Sequence, residues 1–400
     1  MRRLRILQIF NRYFQPGGEE SSVYRIGDAL QQDHDVEYLL GSTKELFELD
    51  SFSRATAPFQ AWHSLRTSRR LRRYQEVGKF DLWLIHNVLP GLSPSVYQNA
   101  FQIGVPVIHY LHNYRMGCIN GFFLNHGKPC ERCLGGNFFP ALQTACWHDS
   151  RLISGMAALV TLRIRQLKTF NKVAAWIALS NAQREKHVQI GLPREKLEVI
   201  PHFYEAKGEA PFSCPDGDVL FLGRLSPEKG VDHLLYAWKH LPKNGRRLKI
   251  AGDGPEMPKL RALARDLGLT NVDFLGYLDK SRQTEIWART AFSVIPSVWS
   301  EPFPLTFLES WANGRTFVAN RLGAMAEVVQ EGKDGFLADP FSHESLAGQI
   351  QKLLTSPAQI HSMGEAGRAR IQSEFTRGIW MKRINSLIQK VLSQYPLKLT

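Results

Sequence analysis

Eight short apolar runs set the strongest limit on how this chain can fold: Arg5 to Phe10, Leu82 to His86, Val105 to Tyr110, Trp176 to Leu179, Val219 to Leu222, Leu248 to Ala251, Phe292 to Ile295 and Thr316 to Ala319. None alternates cleanly between apolar and polar residues, so each reads as a strand covered on both faces, as in a parallel sheet flanked by helices. Stretches of helical length lie between them, including Ser21 to Gln32, Asp232 to Leu241, Met257 to Leu267, Glu301 to Ala312 and Ser342 to Leu354. The β-α order restarts near residue 218, which predicts two doubly wound α/β domains rather than one barrel. A length of 400 residues suits two cores of ordinary size. The first domain is expected at 1–203, with an irregular insertion at about 113–150, followed by a Pro- and Gly-rich linker at 204–217. The second is expected at 218–376, and a last helix within 377–400.

The formal net charge of +13 is unevenly spread: residues 51–200 hold 19 Lys and Arg against 7 Asp and Glu. A basic first half suggests an anionic partner there, against the alternative of a solvated basic surface. Nucleic acid is not favoured, because no recognition helix or RNA-binding signature is present. An anionic membrane surface is the better candidate. The run Leu152 to Leu162, followed by Arg163, Arg165, Lys168 and Lys172, reads equally as an interfacial helix or a buried helix with a basic end. No apolar run reaches the ~18 to 20 residues that span a bilayer. The N-terminal MRRLRILQIF leads from a strand into a Gly-rich turn and does not read as a signal peptide. The expected location is cytoplasmic, peripheral on the inner membrane face.

Four of the five cysteines, Cys118, Cys130, Cys133 and Cys146, fall in one stretch, whereas Cys214 stands alone. The tight Cys130–Cys133 spacing with two flanking cysteines fits a structural zinc site, in which His126 or His148 could replace a thiolate. Buried thiols, or disulfides in pairs, remain the alternative.

Three motifs carry chemistry. Gly17 and Gly18 follow the first strand and precede a helix, where a bare backbone and free N–H groups favour an anion, although such a pair also makes an ordinary turn. Gly223 to Gly230, GRLSPEKG, follows a strand and sets Arg224 and Lys229 five residues apart at its carboxyl end, where two cations can hold a diphosphate. It lacks the spacing of a P-loop. In Ser300 to Ser310, SEPFPLTFLES, Glu301 and Glu309 stand eight residues apart around prolines that suit a first helical turn. Glu309 offers a carboxylate to a ribose diol.

With these residues in view, the chain resembles glycosyltransferase family 4 over essentially its whole length. The likeness rests on Gly-Arg-x4-Lys-Gly, then GDGP at Gly252 to Pro255, FLGYL at Phe274 to Leu278 and Glu-x7-Glu, in that order, with Gly17-Gly18 and HYLHNYR in the first half. The resemblance implies the GT-B fold, two Rossmann-like domains facing across a cleft, the first binding the acceptor and the second the nucleotide sugar, with the last helix crossing back to the first domain. It implies that Arg224 and Lys229 bind the donor diphosphate and that the Gly17 and Gly18 amides close on it. Glu309 would hold the ribose and Glu301 the donor sugar, with Gly252 and Gly254 in the same donor site. Phe303, Pro304, Leu305 and Thr306 would meet sugar and phosphate through their backbone, Leu275, Gly276 and Tyr277 would receive the base, and His112 would contact the sugar. The insertion resembles a Cys-containing loop of a subset that builds cell-surface polysaccharides. One departure from the pattern is IPHFY, which places His202 and Phe203 where Asn-Gly is common.

The expected activity is retaining transfer of a sugar from a nucleotide diphosphate donor to a hydroxyl of a glycan or lipid-linked glycan. No catalytic metal is required if Arg224 and Lys229 neutralise the diphosphate. An epimerase or phosphorylase on the same fold, and a non-catalytic sugar-nucleotide scaffold, are the alternatives.

Overall fold

A computed structural model describes residues 2–13, 17–43, 59–205, 214–242 and 245–395. Residues 206–213 of the expected linker and 396–400 of the last segment lie outside them. The described residues divide between two compact units: one drawn from Met1–Asn125, Cys130–Ile200 and Trp380–Thr400, the other from His126–Pro129 and Pro201–Ile379.

The first unit is built on a parallel sheet of β1 (Arg5–Arg12), β2 (Asp35–Ser42), β3 (Leu82–Ile85), β4 (Val107–Tyr110), β7 (Ala175–Ala178) and β8 (Leu197–Val199), in the order β2-β1-β3-β4-β7-β8. Strands β3, β4 and β7 are buried at every position, as expected of strands covered by helices on both faces. Helices Gly18–Leu30, Ser95–Ile103 and Asn181–Ile190 follow β1, β3 and β7 in the chain. The insertion holds β5 (Leu124–Asn125) and then the helix Phe139–Gln143, while β6 (Lys128–Pro129) falls among the residues grouped with the second unit. The insertion's own core of Ile119, Cys133, Phe138 and Ala141 packs on Ala157 and Ala158. These last two belong to the helix Arg151–Gln166, whose Ser150 cap accepts from the Ile153 N–H.

The second unit repeats the plan with β9 (Asp218–Leu222), β10 (Leu248–Ala251), β11 (Val272–Gly276), β12 (Thr290–Ile295), β13 (Thr316–Asn320) and β14 (Phe336–Ala338), all parallel and ordered β11-β10-β9-β12-β13-β14. Its core joins Val219, Phe221 and Ile250 of the sheet to Leu234, Trp238 and Ile350 of the helices. Because β9 and β12 pair directly, the segments that leave their carboxyl ends start side by side. One helix begins later than the sequence suggests: Pro304 caps Leu305–Ala312, so Glu301 lies in the preceding loop. Proline lacks the N–H that an earlier helical turn would use, and its ring disfavours helical geometry at the residue before it.

Candidate functional site

In the second unit the site grows from the ends of β9 and β12. After Leu222 the chain passes Gly223 and Arg224 into a single 3-10 turn, Pro227–Lys229, closed by Gly230 at φ 65°. A Cβ on Gly230 would lie 2.2 Å from the Pro296 carbonyl oxygen, so glycine is what lets this turn press against the loop after β12. The Val298 N–H donates to the Glu228 carbonyl at 3.0 Å and ties the two loops together. The contact puts Lys229 Nζ 2.7 Å from Glu301 Oε1, with the Ser297 hydroxyl donating to the same oxygen. Glu301 is only 5% exposed, and its carbonyl takes the Ala324 N–H at 3.1 Å. Arg224 is more open and reaches Glu228 Oε1 at 3.3 Å; the Ser226 hydroxyl donates to that same buried oxygen at 2.6 Å. Two cations and two buried carboxylates therefore alternate along one loop pair, each cation leaning on a carboxylate.

Gly252 and Gly254 brace this loop from beneath. A Cβ on Gly252 would meet the Gly223 carbonyl oxygen at 1.8 Å, and one on Gly254 the Leu225 carbonyl oxygen at 2.3 Å. The backbones bond directly, Leu225 N–H to the Asp253 carbonyl at 2.9 Å and Glu256 N–H to the Leu225 carbonyl at 3.1 Å. Gly252 N–H also donates to the Gly276 carbonyl at 2.8 Å, which joins Leu275, Gly276 and Tyr277 to the set, with the Tyr277 side chain 75% exposed. Phe303 is buried against His202, Phe307 and Phe375, so any contact it makes outward is through its backbone. Pro304 has no N–H to offer, leaving those of Phe303, Leu305 and Thr306 at this helix start. Thr306 donates its hydroxyl to the Leu222 carbonyl at 3.3 Å, and Glu309 is half-buried on the same helix.

In the first unit, Gly17 caps the helix Gly18–Leu30 in an extended conformation, and a Cβ there would meet nothing within 4 Å. Neither backbone strain nor crowding among the described residues calls for glycine at this position. His112 follows β4 and stacks between neighbours, its ring centroid 5.1 Å from Tyr110 and 5.2 Å from His86. Its Nε2 lies 2.9 Å from His86 Nδ1, and His86 Nε2 lies 2.6 Å from Gln8 Oε1. These contacts link His112 through His86 to Gln8 of β1. Burial pushes the His112 pKa down to about 3, so the imidazole is neutral at physiological pH. Neither His86 nor Gln8 stood out in the sequence, where nothing links them to residue 112.

The four clustered cysteines line one small cavity together with Ile119, Leu124, Arg132 and Pro140; His126 and His148 do not line it. All are free thiols. Burial and the neighbouring thiols raise the Cys133 pKa to about 11 and the Cys146 pKa to about 12. Asn120 holds two of them, accepting from Cys118 Sγ at 3.1 Å and donating to Cys146 Sγ at 3.3 Å. Among the described residues no three His, Cys, Asp or Glu side chains are disposed as a ready metal-binding set.

A family model described as glycosyl transferases group 1 matches residues 207–370, and one described as Glycosyltransferase Family 4 matches residues 16–207. The chain is 36% identical over 210 residues to an exopolysaccharide phosphotransferase of Streptomyces coelicolor, which covers 51% of this chain and 22% of that protein. It thus spans about a fifth of the length of that curated relative. Among solved structures it is similar to sucrose-phosphate synthase from Thermosynechococcus elongatus, with a TM-score of 0.73 and 19% identity over 98% of this chain and 100% of that one. It is also similar to Anabaena HepE in complex with UDP and glucose, with a TM-score of 0.72 and 18% identity over 97% of this chain and 100% of that one. At such identities the likeness is one of fold, the GT-B fold.

Proposed function

The Glycosyltransferase Family 4 model over residues 16–207 and the group 1 model over 207–370 together place the chain among the family 4 glycosyltransferases, and from that premise we propose that it is a retaining enzyme moving a hexose from a nucleotide diphosphate donor to a hydroxyl acceptor. The observation that carries this reading is the Lys229–Glu301 contact at 2.7 Å, with Arg224 on the same loop. A cation already placed beside a sugar-orienting carboxylate serves a reaction in which negative charge builds on a departing diphosphate. In this scheme the bond from the anomeric carbon to the diphosphate oxygen breaks, and the acceptor oxygen bonds to that carbon from the same face. The acceptor proton passes to an oxygen of the leaving phosphate. Glu301 orients the sugar, Glu309 takes the ribose, Tyr277 offers its exposed ring to the base, and the Gly17–Gly18 amides meet the phosphates. His112, neutral and hydrogen-bonded to His86, contacts the donor sugar. No step needs a catalytic metal.

UDP-glucose is the first donor to test, because HepE is described in complex with UDP and glucose. A ligand at 100 times its dissociation constant adds about 2.7 kcal/mol to stability, so saturating UDP-glucose should raise the melting midpoint by several degrees. If no nucleotide sugar in a panel of uridine, guanosine and adenosine donors shifts the midpoint, the reading fails. Release of the nucleotide that depends on an added acceptor separates transfer from an epimerase or phosphorylase, and its absence despite tight binding would mark a scaffold.

The acceptor we place in cell-surface polysaccharide synthesis, a glycan or lipid-linked glycan, in keeping with the name of the Streptomyces relative. An anionic cytoplasmic membrane face is the proposed partner surface. The helix Leu65–Gly78 exposes Arg66, Arg69, Arg72 and Arg73 along one side with Leu65 and Val77 at its ends, and the helix Arg151–Gln166 exposes Leu152 and Leu159. Each basic residue near an anionic bilayer contributes roughly 1 kcal/mol, screened over ~8 Å at physiological salt. Sedimentation with phosphatidylglycerol vesicles should exceed that with phosphatidylcholine at low salt and fall as salt rises. Equal sedimentation with both would sink the idea. No helix among the described residues is long and apolar enough to cross a membrane.

For the cysteine cavity we propose one structural zinc. Four thiols converge from three separate segments of the insertion; burial, and after it the neighbouring cysteines, raises the pKa of Cys133 and Cys146, and a bound cation would favour their thiolate form. Protein purified without chelator should carry about one equivalent of zinc. Less than about a tenth of an equivalent would mean a buried thiol cluster instead.

A further inference from the structure

The Glu301 carboxylate is held unevenly. Both of its side-chain donors, Lys229 Nζ at 2.7 Å and the Ser297 hydroxyl, go to the same oxygen, Oε1. The other oxygen, Oε2, has no hydrogen-bond partner among the described residues and is not one of the atoms shut away from solvent. One oxygen is thus used within the protein and one is open. The backbone beneath is wedged in place. A Cβ on Gly323, which caps the helix Ala324–Val328 at φ 54°, would lie 2.5 Å from the Glu301 carbonyl oxygen, and that oxygen accepts the Ala324 N–H at 3.1 Å.

The two donors act differently. An ammonium is a compact charge with three rotatable N–H bonds and attracts either carboxylate oxygen about equally. The last torsion of a glutamate is broad and roughly two-fold, so Lys229 alone does not settle which oxygen faces outward. A hydroxyl has one proton to give, and donated to Oε1 it makes that choice. Ser297 is itself pinned: Asn320 Nδ2 donates to the Pro296 carbonyl at 2.9 Å and to the Ser297 carbonyl at 3.2 Å. Asn320 ends β13, which pairs with β12, so the sheet carries this clamp. Ser297 is 6% exposed. A diphosphate that draws on the charge of Lys229 leaves this buried hydroxyl as the donor still committed to Glu301.

We propose that Ser297 is a positioning residue for the donor sugar: by holding Oε1 of Glu301 it keeps Oε2 aimed at one sugar hydroxyl, and so makes the site selective for donors that carry that hydroxyl. This rests on the glycosyltransferase reading above and deepens it. Ser297 acts through Glu301. A site built to pair with a substrate hydroxyl discriminates against the analogue that lacks it, because its own polar group is then left unmatched.

The test is a cycle between one side chain and one ligand hydroxyl, run on the full chain by calorimetric titration. The ligands are the nucleotide sugar that the donor panel selects, UDP-glucose first, its free nucleoside diphosphate, and its analogues lacking one hydroxyl each. With the wild-type protein, loss of one particular hydroxyl should weaken binding by about tenfold or more, as expected of a hydrogen bond to a charged acceptor. With Ser297→Ala the same loss should cost no more than about threefold, while the nucleoside diphosphate binds as before. Ser297→Thr, which keeps the hydroxyl, should restore the wild-type penalty. A purely structural role would weaken every ligand together. The same penalty in wild type and Ser297→Ala, or no hydroxyl that matters to the wild type, overturns the inference. If Ser297→Ala no longer binds the nucleoside diphosphate, Ser297→Cys, a weak donor of similar size, carries the test, and loss of binding there as well makes the residue structural and overturns the inference too. A wild type that binds no nucleotide sugar overturns the glycosyltransferase reading itself, and this inference with it.

Discussion

Lys229→Ala should lower the turnover number and kcat/KM for sugar transfer by about 100-fold, a loss on the order of 3 kcal/mol, comparable to removing one preorganised charge-stabilising donor. The ammonium lies 2.7 Å from Glu301 on a loop held by Gly230, so little reorganisation is needed when charge grows on a diphosphate beside it. Charge on the leaving group rises as the sugar bond breaks, which makes the cation worth more in the transition state than in the bound donor. Lys229→Arg should recover only part, since a planar guanidinium does not reproduce a compact charge. Lys239→Ala, at the exposed end of the helix Val231–Lys239, is the control and should change little. The variant also leaves the buried Glu301 carboxylate with Ser297 as its remaining side-chain donor among those described here, so the melting midpoint must be recorded alongside the rate. More than about half of wild-type turnover at saturating donor would remove this loop from the diphosphate site.

The second large effect is on stability. Gly252→Ala would place a Cβ 1.8 Å from the Gly223 carbonyl oxygen, a backbone atom with nowhere to rotate, and at φ 141°. The segment cannot simply slide, because Gly223 N–H is bonded to the Ala251 carbonyl at 3.0 Å and Gly252 N–H to that of Gly276 at 2.8 Å. Overpacking and backbone strain each cost roughly 1–3 kcal/mol, so a total near 3 kcal/mol is expected. For a unit of this size that lowers the melting midpoint by roughly 10 °C. Gly268→Ala makes the contrast: its φ is 69°, yet a Cβ there meets nothing within 4 Å, so only the strain remains, about 1 kcal/mol. Equal midpoints for the two variants in scanning calorimetry would show that the close approach is not rigid.

The eight apolar runs read from the sequence correspond to β1, β3, β4, β7, β9, β10, β12 and β13, the inner strands of both sheets. The four missed, β2, β8, β11 and β14, are the edges. An inner strand is covered on both faces and is mostly apolar, whereas β2, DVEYLLGS, is exposed or half-exposed at six of its eight positions and carries no such run. The residues proposed for the donor site stood out because glycine, proline and paired charges at fixed spacing have few other uses. The Lys229–Glu301 contact was not, since 72 residues separate the two and only the pairing of β9 with β12 joins them. Ser297 was invisible for a plainer reason: serine is common in turns and loops, and nothing in the sequence shows where its hydroxyl points. The four cysteines were visible as a group, but their shared cavity depends on the packing of the insertion on the helix Arg151–Gln166.

The Lys229–Glu301 pair also bears on how the enzyme lets go. A spent donor keeps both phosphates and so keeps its hold on the cations, which is why product release limits many well-evolved enzymes. Glu301 is a rival anion built into the same loop pair, covalently tethered and therefore always at hand when the phosphate loosens. If Lys229 holds the diphosphate as proposed, each departure would be helped by an internal counter-ion that reclaims it, and the nucleoside diphosphate should be a weaker brake on successive turnovers than its cationic clamp alone would set.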